Sequence, residues 1–220
     1  MVGSQNGLYP NQCLYGGLGR NFISRHLVGA TSLEDAIARA TRSNQATGHS
    51  FNLASKFEKK LVNIEVKPAV DIDIDIDNET STPTSTSPHV ITHIPVGNSL
   101  FHANCYIYMD ADADCSISAQ HRMTRASELP PAESIGDVLN TLGDTEDKEY
   151  PIYRSGVGDD ADTGYTLSTV LFNLEYGSNT NTNTNAIGST TATDASVTIY
   201  LNNPKTEEEV HFKFNSLDIV

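Results

Sequence analysis

The way the hydrophobic period changes along the chain predicts an α+β fold in which an antiparallel sheet is covered by helices. Two observations carry that prediction. Apolar residues recur at three and four up to about position 40, alternate strictly from position 50, return to the helical spacing near 116 and alternate again from 165. The alternating runs also follow one another through hairpin-type connections, which give antiparallel pairs, and not through the intervening helices that parallel strands require.

Residues 1–19 read as loop, rich in Gly and Asn and ending in Tyr15-Gly16-Gly17-Leu18-Gly19. A short amphipathic helix should follow on Phe22, Ile23, Leu27 and Val28. A second helix should start at Thr31 or Ser32, because Thr31-Ser32-Leu33-Glu34-Asp35 has capping-box spacing in two registers. Its apolar face is Leu33, Ala36, Ile37 and Ala40, and Gly48 is expected to end it. Ser50–Ala54 and Leu61–Val66 then alternate around the charged Lys56–Lys60 segment and predict a hairpin. Further strands are expected at His89–Ile94 and Leu100–Met109, helices at Ser116–Leu129 and Ser134–Leu142, a long strand at Tyr165–Tyr176, and a closing pair at Val197–Leu201 and Val210–Phe214.

Two segments break the pattern. Residues 71–88 run from alternating Asp-Ile into Ser, Thr and Pro, and residues 177–194 are almost wholly Asn, Thr, Ser and Gly. Such compositions bury too little apolar surface to offset the entropy of ordering, so both read as loop insertions between strands. Within the first, Ile72, Ile74 and Ile76 alternate with Asp, and any strand there belongs at a sheet edge.

A length of 220 residues with 38% hydrophobic content supports one domain with a core. The net charge of −14 excludes nucleic acid as a partner, since phosphate contacts need clustered Lys and Arg, and it disfavours anionic membrane surfaces for the same reason. No stretch approaches the ~18 apolar residues of a membrane span. The N-terminus has neither a basic nor an apolar region, so no secretory signal is visible and the expected compartment is the cytoplasm. Three cysteines, Cys13, Cys105 and Cys115, are too few and too irregularly spaced for a disulfide framework, and no pair has CxxC spacing for zinc.

The residues offer little chemistry by pattern alone. There is no HExxH, GxSxG or GxxxxGK[ST]. Gly16-Gly17-Leu18-Gly19-Arg20 before a helix suits an anion at the helix N-terminus, but a turn that admits the chain to the helix explains the same glycines. Asp110, Asp112 and Asp114 lack the glycine and distal glutamate of a calcium loop and read as a solvated turn, so neither metal nor cofactor is expected. His102 and Asn104 stand two apart on a predicted strand and therefore share a face beside Cys105. They form either a polar functional cluster or a buried, hydrogen-bonded structural pair.

Four segments taken in order resemble a known family. They are Gly17–Arg25 with Ala30–Ala36, Gly48–Leu53 with Asn63–Val66, Phe101–Tyr106, and Leu142–Asp144 with Tyr150–Tyr153. Together they resemble the isopenicillin-N N-acyltransferase family of cysteine peptidases, which also includes carcinine and β-alanyl-dopamine hydrolases, and within it they resemble the acyltransferase-like proteins of plants. The likeness covers nearly the whole chain outside the two insertions.

The resemblance implies an N-terminal-nucleophile hydrolase architecture, an αββα sandwich, here in its C-terminal part only. It implies a precursor that cleaves itself before a cysteine, whose thiol then attacks an amide with its own α-amino group as base. A small-molecule amide or acyl donor would be the substrate. Asn104 matches the asparagine that donates to the oxyanion, and His102 matches a position beside it with a positioning role. Arg122 and Arg125 match an Arg-x-x-Arg stretch with a structural role. The arginine that the family carries before the strand corresponding to Thr166–Tyr176 is absent, since that neighbourhood reads Asp162-Thr163-Gly164-Tyr165.

The family's cysteine lies upstream of the segment matching Arg20. Cys13 sits in a Pro-Asn-Gln-Cys loop and does not open a strand, while Cys105 and Cys115 could become N-terminal only by discarding half the domain. The expectation is therefore the C-terminal portion of an amidohydrolase or acyltransferase, inactive alone and pairing with a missing N-terminal half. The alternative is a non-catalytic binding or regulatory module that pairs with a full-length paralogue.

Overall fold

The computed structural model describes residues 2–8, 13–68, 88–109, 115–156, 164–174, 195–206 and 209–214. The insertions expected at 71–88 and 177–194, apart from Pro88, and the acidic run at 110–114 lie outside these residues. The chain forms two compact units, Met1–Thr124 and Arg125–Val220.

The first unit contains β1 (Val2–Leu8), α1 (Arg20–Leu27), α2 (Leu33–Ala40), β2 (Gly48–Ser55), β3 (Lys60–Val66) and β4 (His89–Ile94), followed by the start of α3 (Ile117–Glu128). The strands form a sheet in the order β1-β2-β3-β4, every pair antiparallel. The α+β reading with antiparallel sheets holds. The register Phe51↔Ile64 and Leu53↔Val62 puts four apolar side chains on one face. Ile23 of α1 and Leu33, Ala36 and Ala40 of α2 close over them, so the spacing read from the sequence became the core of this unit.

The opposite face carries polar residues in the same register, Ser50↔Glu65 and Asn52↔Asn63, with Asn6 and Ser4 of β1 beside them. Asn63 Nδ2 donates to Ser50 Oγ at 2.8 Å and to Asn52 Oδ1 at 2.9 Å, and Asn52 Nδ2 donates to Ser4 Oγ at 3.3 Å. Ser50, Asn63 and Glu65 are fully buried.

Several boundaries differ from the sequence reading. Residues 1–19 are not all loop, because Val2–Leu8 pairs along β2 and gains there the backbone hydrogen bonds that a Gly- and Asn-rich segment cannot supply for itself. Ser32 is the N-cap of α2, accepting from Asp35 N at 3.0 Å. The helix ends at Ala40, not Gly48: Gln45 is buried and its amide donates to the carbonyls of Ala40 and Arg42, terminating the helix, and Gly48 opens β2. Gly17 is required by close approach, since a Cβ there would stand 2.8 Å from Ala46 Cα, where Leu18 bridges Gln45 in parallel. That accounts for this glycine structurally, without an anion.

The second unit holds the end of α3, α4 (Ile135–Leu142), and a sheet of β5 (Thr169–Asn173), β6 (Ala195–Tyr200) and β7 (Glu209–Phe214), antiparallel in that order. Ser134 and Asp137 complete a capping box on α4. The long strand expected from Tyr165 is shorter, because Tyr165 meets only Ser155 in an isolated bridge. Asp144 is 2% exposed and takes both prongs of Arg125, Nε and Nη2 each at 3.0 Å, with Lys205 Nζ at 3.5 Å. The structural role expected of Arg125 is this pair. No helix among the described residues is long and apolar enough to cross a membrane.

Candidate functional site

The segment 100–109 carries His102 and Asn104, and it is not a strand. Its backbone is drawn instead onto one side chain. Glu65, fully buried on the polar face of β3, accepts from Ile107 N (2.6 Å) and His102 Nε2 (2.9 Å) on Oε1, and from Tyr108 N (2.9 Å) and Met109 N (2.8 Å) on Oε2. A carboxylate with four donors replaces the neighbouring strand that these N–H groups would otherwise need. Burial alone would push this carboxyl up, but the bonds from His102, Ile107 N and Tyr108 N hold it below its ordinary value.

The shared face expected for His102 and Asn104 therefore does not arise, and different partners hold the two. His102 is buried between Glu65 and its own chain, with Nδ1 2.7 Å from Ala103 O, and its carbonyl accepts from Asn6 Nδ2 at 2.9 Å. Asn104 is half-buried; its Nδ2 donates to Gly7 O at 2.8 Å and its Oδ1 accepts from Arg122 Nη2 at 3.0 Å. Tyr106 donates its hydroxyl to Val66 O at 3.0 Å, and burial together with the charge of Glu65 pushes its phenol upward, so it stays a neutral donor.

Cys105 and Cys115 form a disulfide with Cα atoms 5.0 Å apart, a cross-link that three irregularly spaced cysteines, too few for a disulfide framework, did not announce. Their spacing in sequence says nothing of it. Packing of Ala103 and Cys105 against Ala119, with Phe101, Cys115 and Met123 around them, brings the two together. Cys13 is free and exposed. Among the described residues no group of three or more His, Cys, Asp or Glu side chains is placed to hold a metal ion.

Sequence reasoning missed Asn6, Gly7 and Glu65. The first two sat in a segment read as loop. Glu65 alternates with Ile64 and Val66, so the pattern assigns it to the polar face but cannot show that the face is covered.

Chemically, Asn104 presents a primary amide of fixed orientation. One of its two N–H groups is spent on Gly7 O, and among the described residues the other meets no hydrogen-bond acceptor.

The family model described as acyl-coenzyme A:6-aminopenicillanic acid acyl-transferase matches residues 2–185. Searches of curated proteins and of solved structures each returned no match.

Proposed function

The chain belongs to the acyl-coenzyme A:6-aminopenicillanic acid acyl-transferase family, and from that premise we propose that it builds part of a site for acyl transfer at an amide carbonyl. The observation that carries this reading is the amide of Asn104, held at its oxygen by Arg122 and at one N–H by Gly7 O. In the proposed reaction a thiolate attacks the carbonyl carbon, and the carbonyl oxygen takes the negative charge while Asn104 donates to it. The C–N bond then breaks and the amine leaves with a proton. Water or a second amine attacks the thioester and regenerates the thiol. His102 keeps the segment in place through Glu65.

The thiol is the remaining part. Cys105 and Cys115 are consumed by their disulfide, and Cys13 lies in an exposed loop. We propose that the attacking cysteine comes from outside these 220 residues, in the αββα arrangement of self-processing amidohydrolases. The second reading, a non-catalytic pairing module, draws on β4, which pairs only with β3 among the described residues and so leaves a sheet edge open.

The test is hydrolysis of N-acyl amines by the chain alone and by the product of the in-frame sequence preceding Met1 joined to it. The expected result is turnover by the longer product only, with Asn104→Ala lowering kcat ~10²–10³-fold at little change in KM. Turnover by the chain alone that survives Cys13→Ala would overturn the external thiol. An unchanged kcat in Asn104→Ala would overturn the oxyanion role. Inactivity of both products would favour the pairing module.

A further inference from the structure

Three successive residues of the candidate site are each tied to α3 or to the residues just before it. Ala103 N donates to Met123 Sδ at 3.4 Å, Asn104 Oδ1 accepts from Arg122 Nη2 at 3.0 Å, and Cys105 is joined to Cys115. Ala103 and Cys105 also pack on Ala119, which has no exposed surface. The helix acts as a splint for the segment that presents Asn104.

Within that splint Arg122 has a particular place. Its Nε donates to Ser118 O, one turn back on the same helix, at 3.1 Å, which fixes the plane of the guanidinium. Its Nη2 then meets the amide oxygen of Asn104. A guanidinium only donates and a backbone carbonyl only accepts. Arg122 on one side and Gly7 O on the other therefore admit a single orientation of the Asn104 amide, and the reversed one would set donor against donor and acceptor against acceptor. A cationic hydrogen bond at the amide oxygen also draws electron density from the nitrogen, which makes the remaining N–H a stronger donor.

We propose that Arg122 is the positioning residue of this site: it sets the orientation of the Asn104 amide and polarises its free N–H toward an oxyanion. The inference rests on the reading of Asn104 as the oxyanion donor and deepens it, and it gives Arg122 more than the structural role that the Arg-x-x-Arg stretch suggests.

The experiment is nuclear magnetic resonance of the uniformly ¹⁵N-labelled 220-residue chain, with the Asn104 side-chain pair assigned by its loss in Asn104→Asp. Backbone amides 107–109, held by Glu65, serve as the internal control for an intact segment. In Arg122→Gln the Asn104 side-chain resonances should move and their hydrogen exchange should quicken about tenfold or more, the factor expected for losing one hydrogen bond to a charged group. Amides 107–109 should keep their protection, and Arg122→Lys should restore part of the shift. Unchanged Asn104 resonances in Arg122→Gln would overturn the proposal. So would loss of protection at 107–109 in both variants, which would make Arg122 a fold residue only.

Titration of the unmodified chain with acetate and with N-acetylethanolamine tests the underlying reading separately. If Arg122→Gln moves the Asn104 amide while neither probe does, Arg122 positions Asn104 but Asn104 is not the oxyanion donor. If a probe moves it, the two assignments stand together.

Discussion

Glu65 Oε1 lies 2.9 Å from His102 Nε2, with the glutamate side chain wholly buried and the histidine 1% exposed. The pair anchors a segment that has no secondary structure of its own, because the same carboxylate gathers the N–H groups of Ile107, Tyr108 and Met109. Asn104 stands between the residues so held.

Replacing one carboxylate oxygen should undo that anchor. Glu65→Gln keeps the volume but places an NH₂ group against at least one backbone N–H, and it removes the charge that attracts the donors. The expected loss is about 3–5 kcal/mol, the usual cost of breaking one side of a buried charged network. Urea unfolding of the variant measures it, and hydrogen exchange at 107–109 should rise in parallel. A variant as stable as the parent would show that the four bonds to Glu65 do not hold the segment.

Acid should destabilise the protein in two stages. His49 has no exposed surface, its ring nitrogens have no well-aligned hydrogen-bond partner among the described residues, and burial, offset in part by the Gly48 backbone and reinforced by the charge of Arg20, lowers its pKa from 6.5 to about 4. Between those values the unfolded chain takes a proton that the folded chain refuses, so stability falls as pH falls, by roughly 3 kcal/mol over the whole interval. Glu65 adds the second stage. Its folded value is depressed, so its contribution is complete above the unfolded value of 4.5 and is lost as pH drops through the lower folded one. Unfolding free energies at pH 7.5, 5.5 and 4.5 should show the first stage in the parent and a flat response in His49→Gln. An equal slope in the two proteins would rule out His49 as the source.

The disulfide gives a third prediction. Closing Cys105 to Cys115, ten residues apart, should contribute about 3 kcal/mol through the unfolded state. The oxidised protein, denatured and alkylated without reductant, should label only Cys13, and the reduced protein all three cysteines. The reduced form should melt lower. Three labelled cysteines without reductant would remove the cross-link.

The sequence determined what local chemistry and hydrophobic period can encode. Leu33, Ala36 and Ala40 at helical spacing, and Phe51, Leu53, Val62 and Ile64 in alternation, specified which faces pack, and these residues form the core of the first unit. The start of α2 was legible to within one residue, at Thr31 or Ser32, and the structure chose Ser32, because a cap needs only residues within one turn. His102 and Asn104 were legible as two polar residues of one segment, but the shared face read for them did not arise, because each found its own partners.

Tertiary structure decided everything that depends on a partner distant in the chain. Val2–Leu8 has no apolar period and became a strand because β2 offered it a ladder. Segment 100–109 has strand-like composition and is not a strand, and the N–H groups of Ile107, Tyr108 and Met109 go to Glu65 in place of a neighbouring strand. Glu65, Arg122 and the two paired cysteines acquired their roles from residues 10 to 44 positions away, at distances that no short-range pattern reports. A buried carboxylate and a solvated one look alike in an alternating strand, and only the segment folded over this one tells them apart.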